Sequence, residues 1–225
     1  MNRVFASWSG GKDCCLACYQ AIVSGLKVCY LANTVTEDGK RSRSHGLSAN
    51  VIKVQSQAMG IPLVQQRTTW DTYEAEFKNM LRTLKQEGVE GGVFGDIDFE
   101  EHRQWIERVC QEVDIIPYLP LWGEHQDKIM RDFIDLGFKA IVIATKADLL
   151  GEEWLGRKID PDFIKHLGEL RETKSITPCG EAGEYHTLVI DGPLFKKRLE
   201  ILKAKNVLRD EHWFLEISGI ELRAK

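Results

Sequence analysis

The stretch Ser9-Gly10-Gly11-Lys12-Asp13-Cys14 decides how this 225-residue chain is read. An apolar run, Val4-Phe5-Ala6-Ser7-Trp8, precedes it, and Cys15 to Val23 follows with few helix breakers before Gly25. That order predicts a strand, a glycine turn and a helix. Paired glycines let the backbone turn sharply and bring its N–H groups close to a ligand. The helix start adds the positive end of its dipole, so phosphate suits the place. Lys12 supplies a full positive charge and Ser9 a hydroxyl donor. A glycine pair alone would mean only a tight βα turn; strand, helix and Lys-Asp together favour phosphate. The spacing is not that of a Walker loop, which needs four residues before Gly-Lys and then Ser or Thr. An Asp beside phosphate is repulsive unless a divalent cation lies between them, so Asp13 points to Mg²⁺.

Outward from this loop, Lys27 to Thr34 reads as a second strand, and the βαβ unit so formed implies a parallel sheet with a right-handed crossover. Ligands of such sheets collect at the carboxyl ends of the strands, which places Asn33 and Thr34 near a nucleotide. Glu37 to His45, with Lys40, Arg41 and Arg43, reads as a flexible loop. Its cations are either a solvated surface, slightly the better reading, or a lid that meets phosphate or an acidic substrate. Helices are expected over Ser48 to Met59, Asp71 to Glu87, Glu100 to Glu112, Asp127 to Leu136, and Pro161 to Lys174 behind an Asp160 cap. Further strands are expected at Leu63-Val64, within Gly92 to Ile97 where the strand runs into a loop, at Ile115 to Tyr118 and at Lys139 to Ala144, with β structure near Trp213 to Ile217. The stripe Tyr73, Phe77, Met80, Leu81 and Leu84 reads as core. Gly95-Asp96 should lie beside the glycine loop if the sheet is doubly wound; a surface turn is the competing reading for Asp96.

Bulk properties narrow the function. A formal net charge of -4 and a pI near 5.9 argue against a general electrostatic grip on nucleic acid, though not against a local basic patch. No apolar run is long enough to span a bilayer, and the N-terminus enters a strand almost at once, so a cytoplasmic protein is expected. Of six cysteines, Cys15-x-x-Cys18 has metal or redox spacing but no second such pair, so core packing is favoured over zinc or a disulfide. Cys14 differs, because a helix N-terminus would stabilise its thiolate.

Pro178-Cys179-Gly180-Glu181-Ala182-Gly183-Glu184-Tyr185-His186-Thr187 is the second chemically dense stretch. Its small residues separate two carboxylates, a phenol and an imidazole, a pattern poor for a core and good for a site. Paired carboxylates can hold a cation, bind ammonium or act as a base. Read alone, a hydrophilic turn and a site are equally good accounts.

Ser9 to Asp13 resembles the PP-loop of the ATP pyrophosphatases, which cleave ATP between the α and β phosphates; Cys14 stands where that superfamily usually has Ser. Pro120-Leu121-Trp122-Gly123, Trp154-Leu155-Gly156-Arg157, Gly180 to Thr187 and Asp191-Gly192-Pro193-Leu194-Phe195 then resemble segments of the diphthine–ammonia ligase (diphthamide synthase) family, so that the likeness covers nearly the whole chain. The resemblance implies an α/β fold: an adenine-nucleotide α-hydrolase-like (HUP) parallel sheet with helices on both faces over 1–122, and a smaller α+β acceptor-binding domain over 123–225. It implies a carbon–nitrogen ligase that consumes ATP with Mg²⁺ and ammonium, adenylates a carboxylate and releases AMP and pyrophosphate. The acceptor implied is diphthine, a modified histidine of elongation factor 2; a homodimer is compatible with it.

The roles so implied put Ser9, Gly10, Gly11, Lys12, Asp13, Cys14, Asn33, His45, Gly95 and Asp96 around ATP. Lys12, Asp13, Glu181 and Glu184 are the expected catalytic set, with Asp13 as metal ligand. Arg103, Trp154, Arg157, Tyr185 and His186 would face the acceptor or the ammonium. Two other functions compete: a tRNA-modifying PP-loop enzyme, against which the acidic balance counts, and a non-catalytic ATP sensor, against which Lys12, Asp13 and the glutamate stretch count.

Overall fold

The computed structural model describes residues 2–225. The chain forms two compact units: one runs up to Ser9 and resumes over Asp13–Gly123, and the other holds Gly10–Lys12 with Glu124–Lys225. Three residues of the glycine loop thus belong to the second unit.

The first unit alternates strand and helix: β1 (Arg3–Ser7), α1 (Lys12–Val23), β2 (Lys27–Thr36), α2 (Ala49–Met59), β3 (Leu63–Thr68), α3 (Tyr73–Gln86), β4 (Gly91–Val93), α4 (Glu100–Val113) and β5 (Ile116–Tyr118). The five strands are parallel in the order β3-β2-β1-β4-β5. From β1 the chain winds outward through α1 and α2, then returns across the sheet to β4. With right-handed crossovers this lays the two helix pairs on opposite faces, as expected of an adenine-nucleotide α-hydrolase-like sheet. The stripe Phe77, Met80, Leu81 and Leu84 packs with Phe5, Ala32, Phe94, Ile106 and Val109 in one buried cluster. Phe5 and Phe94 meet edge to face, 5.7 Å between centroids. Gly92 makes room for them: a Cβ there would lie 2.3 Å from the Phe5 ring. Ser48 caps α2 through the amide of Asn50, and Gly60 closes it with φ +72°.

The fourth strand ends at Val93 and the chain then runs into a loop, as expected. Glu37 to His45 is a loop with internal hydrogen bonds and isolated bridges Val35–Ser42 and Arg41–Ser48. Its cations hold it together. Arg41 donates to the Gly46 carbonyl at 3.1 Å. Arg43 donates to the hydroxyl and carbonyl of Thr68 and lies 4.9 Å from the Trp70 ring. Guanidinium groups that bond backbone carbonyls and stack on indole act as structural ties.

The second unit contains α5 (Gln126–Asp135), β6 (Lys139–Lys146), α6 (Pro161–Arg171), β7 (Tyr185–Asp191), β8 (Arg198–Arg209) and β9 (His212–Arg223). Its four strands form a sheet in the order β7-β6-β9-β8, antiparallel at each pairing. Asp160 caps α6 on the amide of Phe163, with Pro161 in the first turn, as expected. The β8–β9 hairpin turns on two residues, Asp210 and Glu211, both at positive φ. Among the described residues no helix is long and apolar enough to cross a membrane.

Candidate active site

The strand order reverses direction between β1 and β4, and the crevice at that switch point is where open α/β sheets bind ligands. In the first unit this brings Ser9, Asp13, Cys14, Gly95 and Asp96 to one edge. Gly95 abuts the start of α1: a Cβ on it would lie 2.7 Å from the Cys14 nitrogen and 2.8 Å from the Asp13 carbonyl carbon. Only glycine lets the chain leaving β4 run that close to the first turn of a helix. First-turn amides project beyond a helix end and receive anions. Ser9 Oγ lies 3.4 Å from Cys14 Sγ, as donor to the sulfur. Asp96 pairs with His102 Nδ1 at 3.3 Å.

Asn33 sits one strand away and is buried. Its amide donates to the Trp8 carbonyl at 2.8 Å and to Ser42 Oγ at 2.9 Å, and its oxygen accepts from Gln65 at 3.1 Å. It ties β1, β2 and β3 at their carboxyl ends. Its neighbour Thr34 is also buried and bonds the phenol of Tyr73, whose burial raises its pKa. His45 is half-buried within the hydrogen-bonded loop. Arg103, on α4, bonds Glu107 at 2.7 Å and lies 5.1 Å from the Trp122 ring.

In the second unit the remaining candidates gather around β7. Lys12 is only 2% exposed. Its backbone amide donates to Thr187 Oγ1 at 3.0 Å, its ammonium donates to the Cys179 carbonyl, and the ammonium lies 5.3 Å from the centre of the Tyr185 ring. The Tyr185 hydroxyl donates to the Pro178 carbonyl at 2.5 Å. Residues 177–184 form a compact turn on Gly180 (φ +74°) and Gly183 (φ +82°), where the Glu181 amide donates to Thr177 Oγ1 at 2.8 Å. Glu184 is buried to 2% exposure. One of its oxygens accepts from the Thr177 amide at 2.6 Å, while the other is buried with no hydrogen-bond partner among the described residues. A buried carboxylate oxygen with spare acceptor capacity is costly unless a donor reaches it. His186 is pushed down to about 4, first by burial and then by the charges of Lys12 and His212, so its imidazole is neutral at pH 7.

Trp154 and Arg157 lie farther along the same unit. Trp154 is buried edge to face on Phe163, and Phe163 edge to face on Tyr185, with centroids 5.4 and 5.5 Å apart. Arg157 stacks on Trp154 at 4.2 Å and meets His166 at 3.0 Å. Trp154 therefore reaches Tyr185 through an aromatic row. Thr187 and the Cys179 carbonyl escaped the sequence reading. Neither is titratable, and only the position of Thr187 two residues beyond Tyr185 on a strand hinted that both share a face.

Cys14, Cys15, Cys18, Cys110 and Cys179 are buried, whereas Cys29, also expected in the core, is half-buried. None is in a disulfide, and burial raises the thiol pKa of Cys15 and Cys18. Among the described residues no three His, Cys, Asp or Glu side chains converge as a metal cage. Mg²⁺ held through one or two carboxylates and substrate phosphates needs no such cage; Asp13 lies in the first turn of α1.

Two family models match the chain in order: the diphthamide synthase N-terminal domain over residues 2–117 and the diphthamide synthase C-terminal domain over residues 125–222. Among curated proteins, the diphthine–ammonia ligase of Rattus norvegicus is 28% identical, with 99% of this chain and 93% of the rat protein aligned. That of Homo sapiens is 29% identical over 96% of this chain and 89% of its own. Among solved structures, a predicted subunit of tRNA methyltransferase from Methanocaldococcus jannaschii overlaps 86% of this chain and 98% of its own, at a TM-score of 0.47 and 16% identity. With both family models matched end to end along one chain, this protein belongs to the diphthamide synthase family, a family of ligases.

Proposed function

We propose that this protein uses ATP to convert a carboxylate to an amide with ammonium, its acceptor being the carboxyl group of diphthine on elongation factor 2. The observation that carries the reading is Gly95 pressed against the Cys14 amide nitrogen at the sheet's switch point. It is a close-packed backbone cradle of the kind that receives phosphate, in a chain of this family.

A carboxylate is a poor electrophile. Its oxygen attacks the α-phosphorus of ATP and pyrophosphate leaves, giving an acyl-adenylate. Ammonia then attacks the carbonyl carbon, AMP leaves, and the nitrogen gives up a proton. The protein's share is positioning and charge stabilisation. The loop from Ser9 to Cys14 takes the phosphates, with Lys12 as the cation for the departing pyrophosphate. Asp13 is the carboxylate that would hold Mg²⁺ with ATP; the metal would neutralise phosphate charge. Glu184, with its buried oxygen, holds ammonium or takes its proton. The neutral imidazole of His186 and the carboxylate of Glu181 are offered to the acceptor, as is Arg157.

The test is an assay with ATP, Mg²⁺, ammonium chloride and elongation factor 2 carrying diphthine. AMP and pyrophosphate should appear in equal amounts and only when all four are present, and the modified histidine peptide should change mass from acid to amide. Release driven by tRNA, or tight ATP binding with no release under any acceptor, would overturn the reading.

A further inference from the structure

Resting on the ATP-using reading above, we infer that Thr187 and Tyr185 are positioning residues for nucleotide binding, setting the backbone and the ammonium of Lys12 rather than touching the acceptor. Gly10 and Lys12 bond to alternate residues of β7 in reversed chain order. The Gly10 carbonyl accepts from the Val189 amide at 3.0 Å, and the Lys12 amide donates to Thr187 Oγ1 at 3.0 Å. The tripeptide is laid along the strand like a short antiparallel segment, and its conformation is decided by β7. Lys12 is the first residue of α1, so the Thr187 hydroxyl caps that helix from a strand 175 residues away in sequence.

The ammonium is placed by the same strand. A cation at 2% exposure has lost most of its water, so its place depends on the groups that face it. Those include the Cys179 carbonyl and the face of Tyr185. Tyr185 acts twice: its ring faces Lys12, and its hydroxyl holds Pro178, the residue before the carbonyl that accepts from the ammonium, at 2.5 Å. Its ring and its hydroxyl are thus both engaged within the turn and with Lys12. Residues 185 and 187 lie on one face of the strand, so one short stretch of β7 sets both parts of Lys12.

The test is calorimetric titration of the full chain with ATP and Mg²⁺, without acceptor, alongside a thermal melt. Thr187→Val removes the acceptor of the Lys12 amide and should weaken ATP binding roughly 5- to 10-fold; Thr187→Ser, which keeps the hydroxyl, should restore it. Tyr185→Leu removes the π face and should weaken binding by about 5-fold or more. Tyr185→Phe keeps the ring and loses only the bond to Pro178, so it should weaken binding less than Tyr185→Leu does. In turnover assays the ammonium KM should not move in Thr187→Val. ATP binding unchanged in both Thr187→Val and Tyr185→Leu overturns the inference, as does equal loss in Thr187→Val and Thr187→Ser. If the unaltered protein does not bind ATP, the parent reading fails first and this inference with it.

Discussion

Gly95 and Cys14 meet backbone to backbone: the space a Cβ would fill on Gly95 is 2.7 Å from the Cys14 nitrogen and 2.9 Å from its Cα. Backbone atoms in the first turn of a helix cannot give way as a flexible side chain can. Gly95→Ala should therefore cost about 1–3 kcal/mol of stability by overpacking. It should also weaken ATP binding, because it displaces the amides at the helix start. Urea midpoints and an ATP titration check the two effects; an alanine variant equal to the parent in both would show that the loop and the helix are not held as described.

Cys14 itself offers a gain-of-function test. The thiol is a weak donor, and a hydroxyl is the stronger one. Its neighbour Ser9 already donates to the sulfur at 3.4 Å. Cys14→Ser should lower the KM for ATP by a few-fold with little change in stability, read from pyrophosphate release at varied ATP. A rise in KM would mean that the sulfur packs in a place where a hydroxyl is penalised.

Glu184→Gln keeps size and keeps an oxygen for the Thr177 amide, 2.6 Å away in the parent, but removes the charge. If the other, buried oxygen takes ammonium or its proton, kcat/KM for ammonium should fall about 100-fold or more, with ATP affinity within about 2-fold. Steady-state kinetics with each substrate varied separate the two. Equal losses toward both substrates would point to a collapsed turn instead.

The His186 imidazole is pushed down to about 4 from the ordinary 6.5. Because the folded value is the lower one, the unfolded chain binds a proton first as the solution is acidified. Stability associated with His186 is thus complete above about pH 6.5, declines as pH falls toward 4, and changes no further below that. Allowing for the partial exposure of the ring, the loss should be on the order of 1–2 kcal/mol. Denaturant midpoints at pH 7 and pH 5 measure it, and His186→Gln should flatten that difference.

The β8–β9 turn carries avoidable strain. Asp210 (φ 45°) and Glu211 (φ 64°) both occupy the left-handed region, which two-residue hairpins fill best with Asn-Gly. Replacing the pair, Asp210→Asn with Glu211→Gly, should stabilise the second unit by about 0.5–1 kcal/mol. A raised melting temperature with unchanged kinetics is the expected result, and a lowered one would locate the strain elsewhere.

What could be read from residue order alone was whatever local chemistry dictates. Alternating strand and helix patterns, the stripe from Tyr73 to Leu84, the Asp160-Pro161 helix start and the glycine loop before α1 each state their geometry within a dozen residues. Periodicity and capping act at that range. Cys15 and Cys18 were legible as core, since an isolated Cys-x-x-Cys has no partner pair to complete a metal site. The internal bonding of the loop from Glu37 to His45 was not legible, because it comes from Arg43 reaching Thr68 at the end of β3 and Trp70 just beyond it. Gly95 was expected beside the glycine loop, but no pattern could show how closely it meets Cys14, that Asn33 spends its amide on Trp8 and Ser42, or that Thr187 caps a helix beginning at Lys12. Those pairings join residues far apart in the chain, and only the strand order, the winding of the sheet and the registry of β7 bring them within hydrogen-bonding distance.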